Sequence, residues 1–269
     1  MSLVDAVTGD KLLHVDSIGA GPDVVLLHGW GMHGAYWQDL VDALKADYRV
    51  HCIDLPGHGK SDYAGEQALD DFVNRIRQCI ESVTDDQFHL IGWSLGGLIS
   101  QRLSMMLPDK VKTLALIASS ASFMQREGWP NAMPASVLNG FADNLLQDYK
   151  LTLHRFLALQ VRGSEQQQQG LRELKSRLFT RGEPDQTALK SGLSLLQQVD
   201  LRATLPSITQ PVMLIGGERD TLVPAAAAEE TAALLPRARV HIVKGAGHAP
   251  FLSHPDEMLN LIKNFISHE

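Results

Sequence analysis

The chain has 269 residues, of which 44% are hydrophobic and 20% are charged, and its formal net charge is −7. This length can bury a sizeable core, and the composition is that of a globular protein. The acidic balance argues against a protein whose whole surface binds nucleic acid, because such surfaces are basic. Neither cysteine belongs to a Cys-x-x-Cys pair, and Cys52 lies in an apolar run, so we expect a buried free thiol and a reducing compartment.

The first ten residues contain neither the basic region nor the apolar segment of a signal peptide. No apolar run approaches the roughly 18 residues that a membrane span needs. We therefore expect a cytoplasmic protein with no membrane partner and no nucleic-acid partner. The expected oligomeric state is a monomer.

Apolar strands and amphipathic helices alternate along the first 121 residues. The predicted strands cover residues 11–18, 24–27, 48–55, 87–92 and 111–118. The predicted helices cover residues 37–45 and 69–83, and a third runs from residue 95 to Pro108. This alternation is typical of an α/β protein with a mostly parallel, doubly wound sheet.

The alternation stops between residues 122 and 199 and then resumes. Within this block the patterns predict helices at 134–149, 151–162, 165–179 and 184–199. After it they predict strands at 211–216 and 239–243 and helices at 224–235 and 254–267. We expect a single domain with a core of residues 1–121 and 200–269, and a helical cap of about residues 122–199 inserted over the carboxyl ends of the strands, where such sheets bind ligands.

Ser94 lies in Gly-x-Ser-x-Gly, between the predicted strand 87–92 and a helix that begins at Leu95. This context is the one that a nucleophile elbow requires, with a serine at the tip of a sharp strand-to-helix turn. Gly92 and Gly96 have no side chain to clash where strand and helix approach closely. The pattern therefore indicates a nucleophilic serine, although the same motif also occurs in ordinary strand-to-helix loops with no catalytic role.

A serine nucleophile needs a base and an acid that orients the base. In hydrolases with this elbow the chain order is serine, acid, histidine. Asp220 and His248 follow the predicted strands 211–216 and 239–243, so both should lie at the same sheet edge as Ser94. Glu218 and, more distantly, Asp54 are the rival acids.

The expected oxyanion hole consists of two backbone N–H donors, those of Leu95 and of Trp30 in the loop after strand 24–27. The Trp30 ring should also line the pocket. The sequence contains no His-Glu-x-x-His motif, no clustered Cys and His spacing and no dinucleotide fingerprint. We therefore expect no metal site and no cofactor.

With these residues identified, the chain resembles the α/β-hydrolase superfamily over nearly its whole length. More narrowly, it looks like the pimeloyl-[acyl-carrier protein] methyl ester esterases of biotin biosynthesis. The segments that carry this resemblance are LLHGWG at 26–31, DLPG at 54–57, GWSLGGL at 92–98, RFLALQ at 155–160 and AGHAPFLSHP at 246–255. Many hydrolases share the first two segments and the serine, acid and histidine of the proposed triad. Trp93 and the segment 155–160 are more specific to this narrower family.

The resemblance implies that Ser94 attacks the methyl ester of a pimeloyl chain on acyl-carrier protein, releasing methanol. It also implies substrate-binding roles for Trp30, Ser94, Leu95 and His248. The further residues that it places along the acyl channel are Phe156, Leu157, Ala158, Leu159 and Gln160.

Seven basic residues and only two acidic ones, Glu165 and Glu173, lie between Tyr149 and Arg181. A basic cap on an acidic protein suits an acidic partner such as a carrier protein. The resemblance makes Arg155 and Arg172 docking residues, whereas Leu151 and Gln168 stand where the family carries further arginines. The docking residues that we expect are Lys150, Arg155, Arg162, Arg172 and Lys175. Ordinary solvated helix faces would give the same pattern.

Two alternative functions remain open. One is another serine hydrolase, either a broad carboxylesterase or a carbon–carbon bond hydrolase, since the triad does not set the substrate. The other is a catalytically inactive hydrolase fold that only binds a ligand. Epoxide hydrolases and haloalkane dehalogenases are disfavoured, because those enzymes need a carboxylate where Ser94 stands.

Overall fold

The computed structural model describes residues 6–8, 11–84, 86–164 and 167–269, and the account of side chains begins at Leu13. The first two residues of the predicted helix 165–179, and with them Glu165, lie outside the described residues. No helix in the described ranges is long and apolar enough to cross a membrane.

The strands in chain order are β1 (Ala6–Thr8), β2 (Lys11–Leu13), β3 (Val15–Ile18), β4 (Asp23–Leu27), β5 (Arg49–Ile53), β6 (Phe88–Trp93), β7 (Val111–Ile117), β8 (Val212–Gly217) and β9 (Ala238–Val243). The helices are α1 (Gln38–Leu44), α2 (Leu69–Val83), α3 (Leu95–Met106), α4 (Ala135–Gln147), α5 (Tyr149–Gln160), α6 (Gln167–Arg177), α7 (Gln186–Gln198), α8 (Ala225–Ala233), α9 (Pro250–Ser253) and α10 (Pro255–His268). Short 3₁₀ helices lie at Gly34–Trp37 and Leu205–Ser207.

Seven strands form one sheet in the order β3-β5-β4-β6-β7-β8-β9. Strand β3 is antiparallel to β5, and the other neighbouring pairs are parallel. The central strands β4, β6 and β8 are buried along their whole length, which explains their continuous apolar runs. The predicted fold class, an α/β hydrolase sheet with helices on its faces, is confirmed.

The predicted strand 11–18 is two strands in the structure, and the prediction of one strand was wrong. Strand β2 pairs with β1, whereas β3 joins the main sheet beside β5. The break falls at His14, whose backbone N–H donates to Ser61 Oγ at 2.8 Å and whose carbonyl accepts from the Asp54 N–H at 3.0 Å. These bonds satisfy the His14 backbone outside any strand ladder, and no local pattern in the sequence signals them.

Four helices, α4 to α7, lie between β7 and β8 in the chain, and α5 and α7 bind loops at the carboxyl edge of the sheet. The indole N–H of Trp30, in the loop after β4, donates to the Leu189 carbonyl of α7 at 2.8 Å. The Gln160 carbonyl at the end of α5 accepts from the His248 N–H, in the loop after β9, at 2.8 Å. The helices of the predicted cap are thus held to two loops that carry predicted site residues.

Helix α3 packs closely on the carboxyl end of β4 through Gly96. A Cβ atom at this position would lie 2.5 Å from the His28 carbonyl oxygen and closer still to that of Leu27. No other residue type fits between this helix and these carbonyls. The close approach places the first turn of α3, and Ser94 before it, beside the loop after β4.

A buried carboxylate, Asp23, joins the start of β4 to its neighbours. It accepts from Arg49 at 2.5 and 2.8 Å, from His51 Nε2 at 3.0 Å and from the Thr84 hydroxyl. Burial alone would raise the pKa of Asp23, but these donors outweigh it and lower the pKa from 3.8 to about 2. The carboxylate therefore stabilises the folded state above the unfolded pKa, and this contribution is lost as the pH falls through about 2.

We predict that Asp23→Asn lowers the free energy of unfolding at pH 7 by about 3 kcal/mol, because it leaves a hydrogen-bond network without its charge. Urea unfolding at pH 7 and pH 3 measures this change, and the deficit should shrink at the lower pH. Asp42→Asn is the control, because the Asp42–Lys45 pair is exposed and should contribute less than about 1 kcal/mol. Equal losses in the two variants would contradict the role assigned to Asp23.

We also predict that Gly96→Ala destabilises the protein by several kcal/mol, because its Cβ would overlap the Leu27 and His28 carbonyls. Gly140→Ala in α4 is the matched control, since a Cβ there meets no atom within 4 Å. The control should stabilise the helix by roughly 0.5–1 kcal/mol. Thermal unfolding of both variants measures the contrast, and a stable Gly96→Ala protein would show that α3 can move away from β4.

Candidate active site

Ser94 occupies a strained turn between β6 and α3. Its backbone angles, φ 54° and ψ −117°, lie in a region that residues other than glycine rarely adopt. The turn is held by the Ser94 N–H, which donates to the Ile117 carbonyl at 2.9 Å, and by its carbonyl, which accepts from the Leu98 N–H at 3.1 Å and from Ser119 Oγ at 3.0 Å. A strained strand-to-helix turn of this kind is the backbone geometry that a nucleophile elbow requires.

His248 and Asp220 form a buried pair. His248 Nδ1 and Asp220 Oδ2 are 2.7 Å apart, and the other carboxylate oxygen accepts from the N–H groups of Leu222 and Val223 at 2.8 and 3.0 Å. A proton on Nδ1 that is donated to Asp220 leaves Nε2 as an acceptor. Nε2 is buried and has no hydrogen-bond partner among the described residues, so it is free to take a proton.

The two rival acids are bound elsewhere. Glu218 accepts from the backbone N–H of Gly245 at 2.9 Å. Asp54 accepts from the N–H groups of Gly34 and Lys60 at 2.6 and 3.0 Å and pairs with Arg181 at 3.3 Å. Burial alone would raise the pKa of Asp54, but Arg181 and the backbone donors hold it below its ordinary value. Asp220 is the one of these three carboxylates that bonds to His248.

Trp93 and the end of α5 hold the loop of His248 from two sides. The indole N–H of Trp93 donates to the His248 carbonyl at 2.9 Å, and the His248 N–H donates to the Gln160 carbonyl at 2.8 Å. The Trp93 ring also packs on Phe251 and Trp37, with centroids 4.9 and 6.3 Å away. The sequence pattern alone indicates no role for Trp93 in the site, and its position next to Ser94 is the only local signal of one.

The loop after β4 lies directly against Ser94. A Cβ on Gly29 would be 3.3 Å from the Cβ of Ser94. The backbone N–H groups of Trp30 and Leu95 donate to no other group among the described residues. Two unused donors beside the serine match the requirement for an oxyanion hole.

His28 shapes this loop and stays neutral. Its Nδ1 lies 2.8 Å from the Gly29 carbonyl, and its Nε2 accepts from the Leu55 N–H at 2.9 Å. Burial, reinforced by His58, lowers the pKa of His28 from 6.5 to about 3. An uncharged ring with one donor and one acceptor nitrogen thus links the loop after β4 to the loop after β5.

The predicted channel residues divide into two groups. Phe156, Leu157 and Gln160 are buried, and the Phe156 ring meets the Trp30 ring edge to face with centroids 5.0 Å apart. Ala158 and Leu159 are half-buried and line a groove on the other side of α5. Five consecutive helical residues span more than a full turn, so they cannot all face one channel.

Gln160 is a buried amide with no partner. Neither its side-chain oxygen nor its nitrogen makes a hydrogen bond with a described residue, and the side chain follows Phe156 by one helical turn. An unsatisfied buried amide costs free energy that a polar ligand would recover. The amide therefore offers a donor and an acceptor close to the His248 loop.

Fewer of the basic residues between Tyr149 and Arg181 carry an unpaired charge in the structure than the sequence count suggests. Lys150 pairs with Glu183, Arg177 with Asp39 at 3.0 Å, and Arg181 with Asp16 and Asp54. These partners lie 33 to 165 residues away in the chain, beyond the reach of a local charge count. Of the seven basic residues between Tyr149 and Arg181, the four that are exposed and make no ion pair with a described residue are Arg155, Arg162, Arg172 and Lys175.

Within the described ranges, no three His, Cys, Asp or Glu side chains are grouped as metal ligands. The cysteines Cys52 and Cys79 are free and buried, and burial raises the pKa of both thiols. Both lie in the core, where burial disfavours the thiolate form that reactive cysteines use.

Comparisons with known proteins agree with this geometry. A family model described as alpha/beta hydrolase fold matches residues 22–255. A pimeloyl-[acyl-carrier protein] methyl ester esterase of Aeromonas hydrophila is 42% identical over 252 residues, which cover 94% of this chain and 98% of that protein. A protein of the same name from Nitrosomonas europaea is 41% identical over 248 residues, with 92% and 97% covered.

Solved structures show the same fold at lower identity. An esterase from Exiguobacterium antarcticum superposes with a TM-score of 0.88 at 24% identity, and 99% of each chain is covered. A bromoperoxidase from Bacillus anthracis superposes with a TM-score of 0.89 at 21% identity and the same coverage. The sheet order, the serine turn and the family match over most of the chain lead to one conclusion: this chain belongs to the α/β hydrolase family.

Proposed function

We propose that this protein is a serine esterase that hydrolyses the methyl ester of pimeloyl-[acyl-carrier protein], giving pimeloyl-carrier protein and methanol for biotin biosynthesis. The observation that carries the chemistry is the buried Asp220–His248 pair, with a free Nε2, at the sheet edge that holds the strained Ser94. The choice of substrate rests on the relatives of that name, which are 41–42% identical over nearly the whole chain.

In the proposed acylation step, Ser94 Oγ attacks the ester carbonyl carbon while His248 Nε2 takes the hydroxyl proton. Asp220 holds the ring in the correct tautomer and stabilises the imidazolium. The oxyanion accepts hydrogen bonds from the N–H groups of Trp30 and Leu95. Such preorganised donors contribute roughly 10²–10³-fold each in serine hydrolases.

The tetrahedral intermediate then collapses. The carbonyl re-forms, the bond to the methoxy oxygen breaks, and His248 gives its proton to methanol. Water attacks the acyl-enzyme with His248 as the base, and Ser94 leaves with the proton. The products are a free terminal carboxylate and the unchanged thioester to the carrier, so the thioester must not reach Ser94.

We propose that Trp30, Leu95 and the buried channel residues Phe156, Leu157 and Gln160 bind the acyl chain. The Phe156 and Trp30 rings supply an apolar wall, which suits the methylene groups of the chain. The Gln160 amide supplies polar groups that a methyl ester carbonyl can use. Ala158 and Leu159 lie on the outer side of α5 and belong to the entrance instead.

Arg155, Arg162, Arg172 and Lys175 are the proposed docking residues for the acidic carrier, because they are exposed and free of ion pairs with described residues. Lys150 contributes less, since Glu183 and Tyr149 already bind its ammonium group. We further propose that residues 122–199 act as one cap on a single α/β domain, and that the protein works as a monomer in the cytoplasm. The contacts of α5 and α7 with the site loops support the proposed cap, and the two free thiols fit a reducing compartment such as the cytoplasm.

A broad carboxylesterase or a carbon–carbon bond hydrolase of the same fold would use the same triad, and a non-catalytic binder would use none of it. The full-length relatives favour the carrier-bound ester over the first alternative. The unsatisfied Nε2 and the strained serine favour a catalyst over the second, because strain at a buried turn costs stability without benefit to a binder.

We predict that Ser94→Ala and His248→Ala each lower kcat by about 10⁴-fold or more while the fold stays intact, because each removes a partner that forms bonds in the transition state. A fluorophosphonate probe should label the wild type and fail to label Ser94→Ala. Ser176→Ala, which changes an exposed serine of α6, is the control and should label normally. Most of the activity surviving in either triad variant would refute the assignment, and an unlabelled folded wild type would favour the non-catalytic alternative.

Carrier docking makes a second prediction, on salt dependence. The carrier-bound methyl ester should be hydrolysed with a much higher kcat/KM than free dimethyl pimelate, and the preference should shrink as salt screens the cap charges. Arg172→Glu should reduce the preference by about 3–10-fold at low salt. Lys112→Glu has the same charge change near the amino end of β7, at the opposite sheet edge, and should have little effect.

Equal hydrolysis of both esters at all salt concentrations would contradict carrier recognition. The protein would then be a general carboxylesterase whose cap charges are only a solvated surface.

A further inference from the structure

Trp93 is the last residue of β6 and directly precedes Ser94 in the chain. Its backbone pairs with Ile117 of β7, and the Ser94 N–H donates to the Ile117 carbonyl at 2.9 Å. The Trp93 side chain is fully buried. The central strands of the sheet therefore fix the base of this side chain relative to the serine.

The Trp93 side chain also holds the segment that carries His248, at two points. The indole N–H donates to the His248 carbonyl at 2.9 Å, and the ring packs edge to face on Phe251 with centroids 4.9 Å apart. Phe251 follows His248 by three residues and lies in α9. One hydrogen bond and one ring contact thus join the loop of the proposed base to the residue beside the nucleophile.

The loop after β4 packs against the same ring. A Cβ on Gly29 would lie 3.3 Å from Trp93 Cε3 and 3.3 Å from the Cβ of Ser94. Because Gly29 has no side chain, this loop approaches the indole and the serine together. Gly29 precedes Trp30, whose backbone N–H is a proposed oxyanion donor. Trp93 therefore contacts the segments that carry the nucleophile, the base and the oxyanion donor.

An indole is suited to holding such segments in place because it is rigid. Two torsion angles place the whole side chain, and its single donor points in a fixed direction in the ring plane. The rings of Trp37 and Tyr36 pack around Trp93 with centroids 6.3 and 6.4 Å away. The ring is thus enclosed, and its N–H keeps one position relative to Ser94.

We propose that Trp93 is a positioning residue, which sets the distance between Ser94 Oγ and His248 Nε2 by donating its indole N–H to the His248 carbonyl. This inference rests on the proposed function, because it assumes that His248 is the base. Since Trp93 is fully buried, its effect is on the base, and it should change kcat and leave KM nearly constant. A misplacement of about 1 Å can cost roughly 100-fold in rate.

Trp93→Phe removes the hydrogen bond, and two other tryptophans provide matched controls. Trp37 packs in the same aromatic cluster, 4.8 Å from Phe251, but its indole N–H has no partner among the described residues. Trp129 is buried and donates its N–H to the Ser122 carbonyl at 3.0 Å, outside the proposed triad and oxyanion loops. Trp37→Phe therefore matches the lost ring volume, and Trp129→Phe matches the lost bond.

A second variant removes the donor and keeps the shape of the side chain. Benzothienylalanine at position 93 carries a sulfur atom where tryptophan carries its N–H group. Packing is therefore retained in this variant even if Trp93→Phe does not fold.

The experiment measures kcat and KM for methyl pimeloyl-carrier protein and dimethyl pimelate, and the rate at which the fluorophosphonate probe labels Ser94. Both position-93 variants should lower kcat for both esters by about tenfold or more, with KM within about twofold of the wild type. Labelling should slow by a similar factor, because the probe reacts with Ser94 without using the acyl site. Trp37→Phe and Trp129→Phe should stay within about threefold of the wild type in each measurement.

The outcomes separate this inference from the proposed function. If benzothienylalanine at position 93 leaves kcat and the labelling rate unchanged, the N–H bond does not position the base and only this inference is wrong. The inference is also wrong if the position-93 variants raise KM and keep kcat, or if Trp37→Phe lowers kcat as much as Trp93→Phe does. A folded wild type that the probe does not label would overturn the proposed function, and this inference with it.

Discussion

The close approach of α3 to the carboxyl end of β4 is the constraint on which the rest of the site depends. Gly96 lies against the carbonyls of Leu27 and His28, and this contact sets Ser94 beside Gly29. The same approach places the unused N–H groups of Leu95 and Trp30 near one serine. Backbone packing between α3 and β4 thus brings a candidate nucleophile and its two candidate oxyanion donors together.

Two helices of the proposed cap, α5 and α7, take part in this arrangement. Leu189 of α7 accepts from the Trp30 indole, and Gln160 of α5 accepts from the backbone of His248. One cap helix therefore holds the proposed oxyanion loop and another holds the proposed base. Substitutions that move the Leu189 or the Gln160 carbonyl should for this reason change turnover as well as substrate preference, since these carbonyls hold loops of the proposed catalytic site.

Two buried carboxylates, Asp54 and Asp220, have different roles: the first binds structural partners and the second is proposed to act in catalysis. Asp54 is surrounded by Gly34, Lys60 and Arg181 and has no capacity left for chemistry. Asp220 accepts from two backbone N–H groups on one oxygen and bonds to His248 with the other. The two carboxylates look alike in sequence, each in a loop after a strand, and they differ in what the tertiary structure brings to them.

The sequence by itself determined the alternation of strands and helices, the serine turn and the chain order of serine, acid and histidine, because these depend on neighbouring residues and on residue type. It left open whether Asp220, Glu218 or Asp54 bonds to His248, and it suggested that five consecutive residues of α5 share one channel and that Lys150 is a free cation. Tertiary structure decided these points. Asp220 and His248 are 28 residues apart, and Lys150 and Glu183 are 33 apart, so their contacts exist only once the strands and cap helices have packed. Which side of α5 faces Trp30, and which faces the groove beside α4, likewise depends on how the helix is rotated against its neighbours, and no local pattern encodes that rotation.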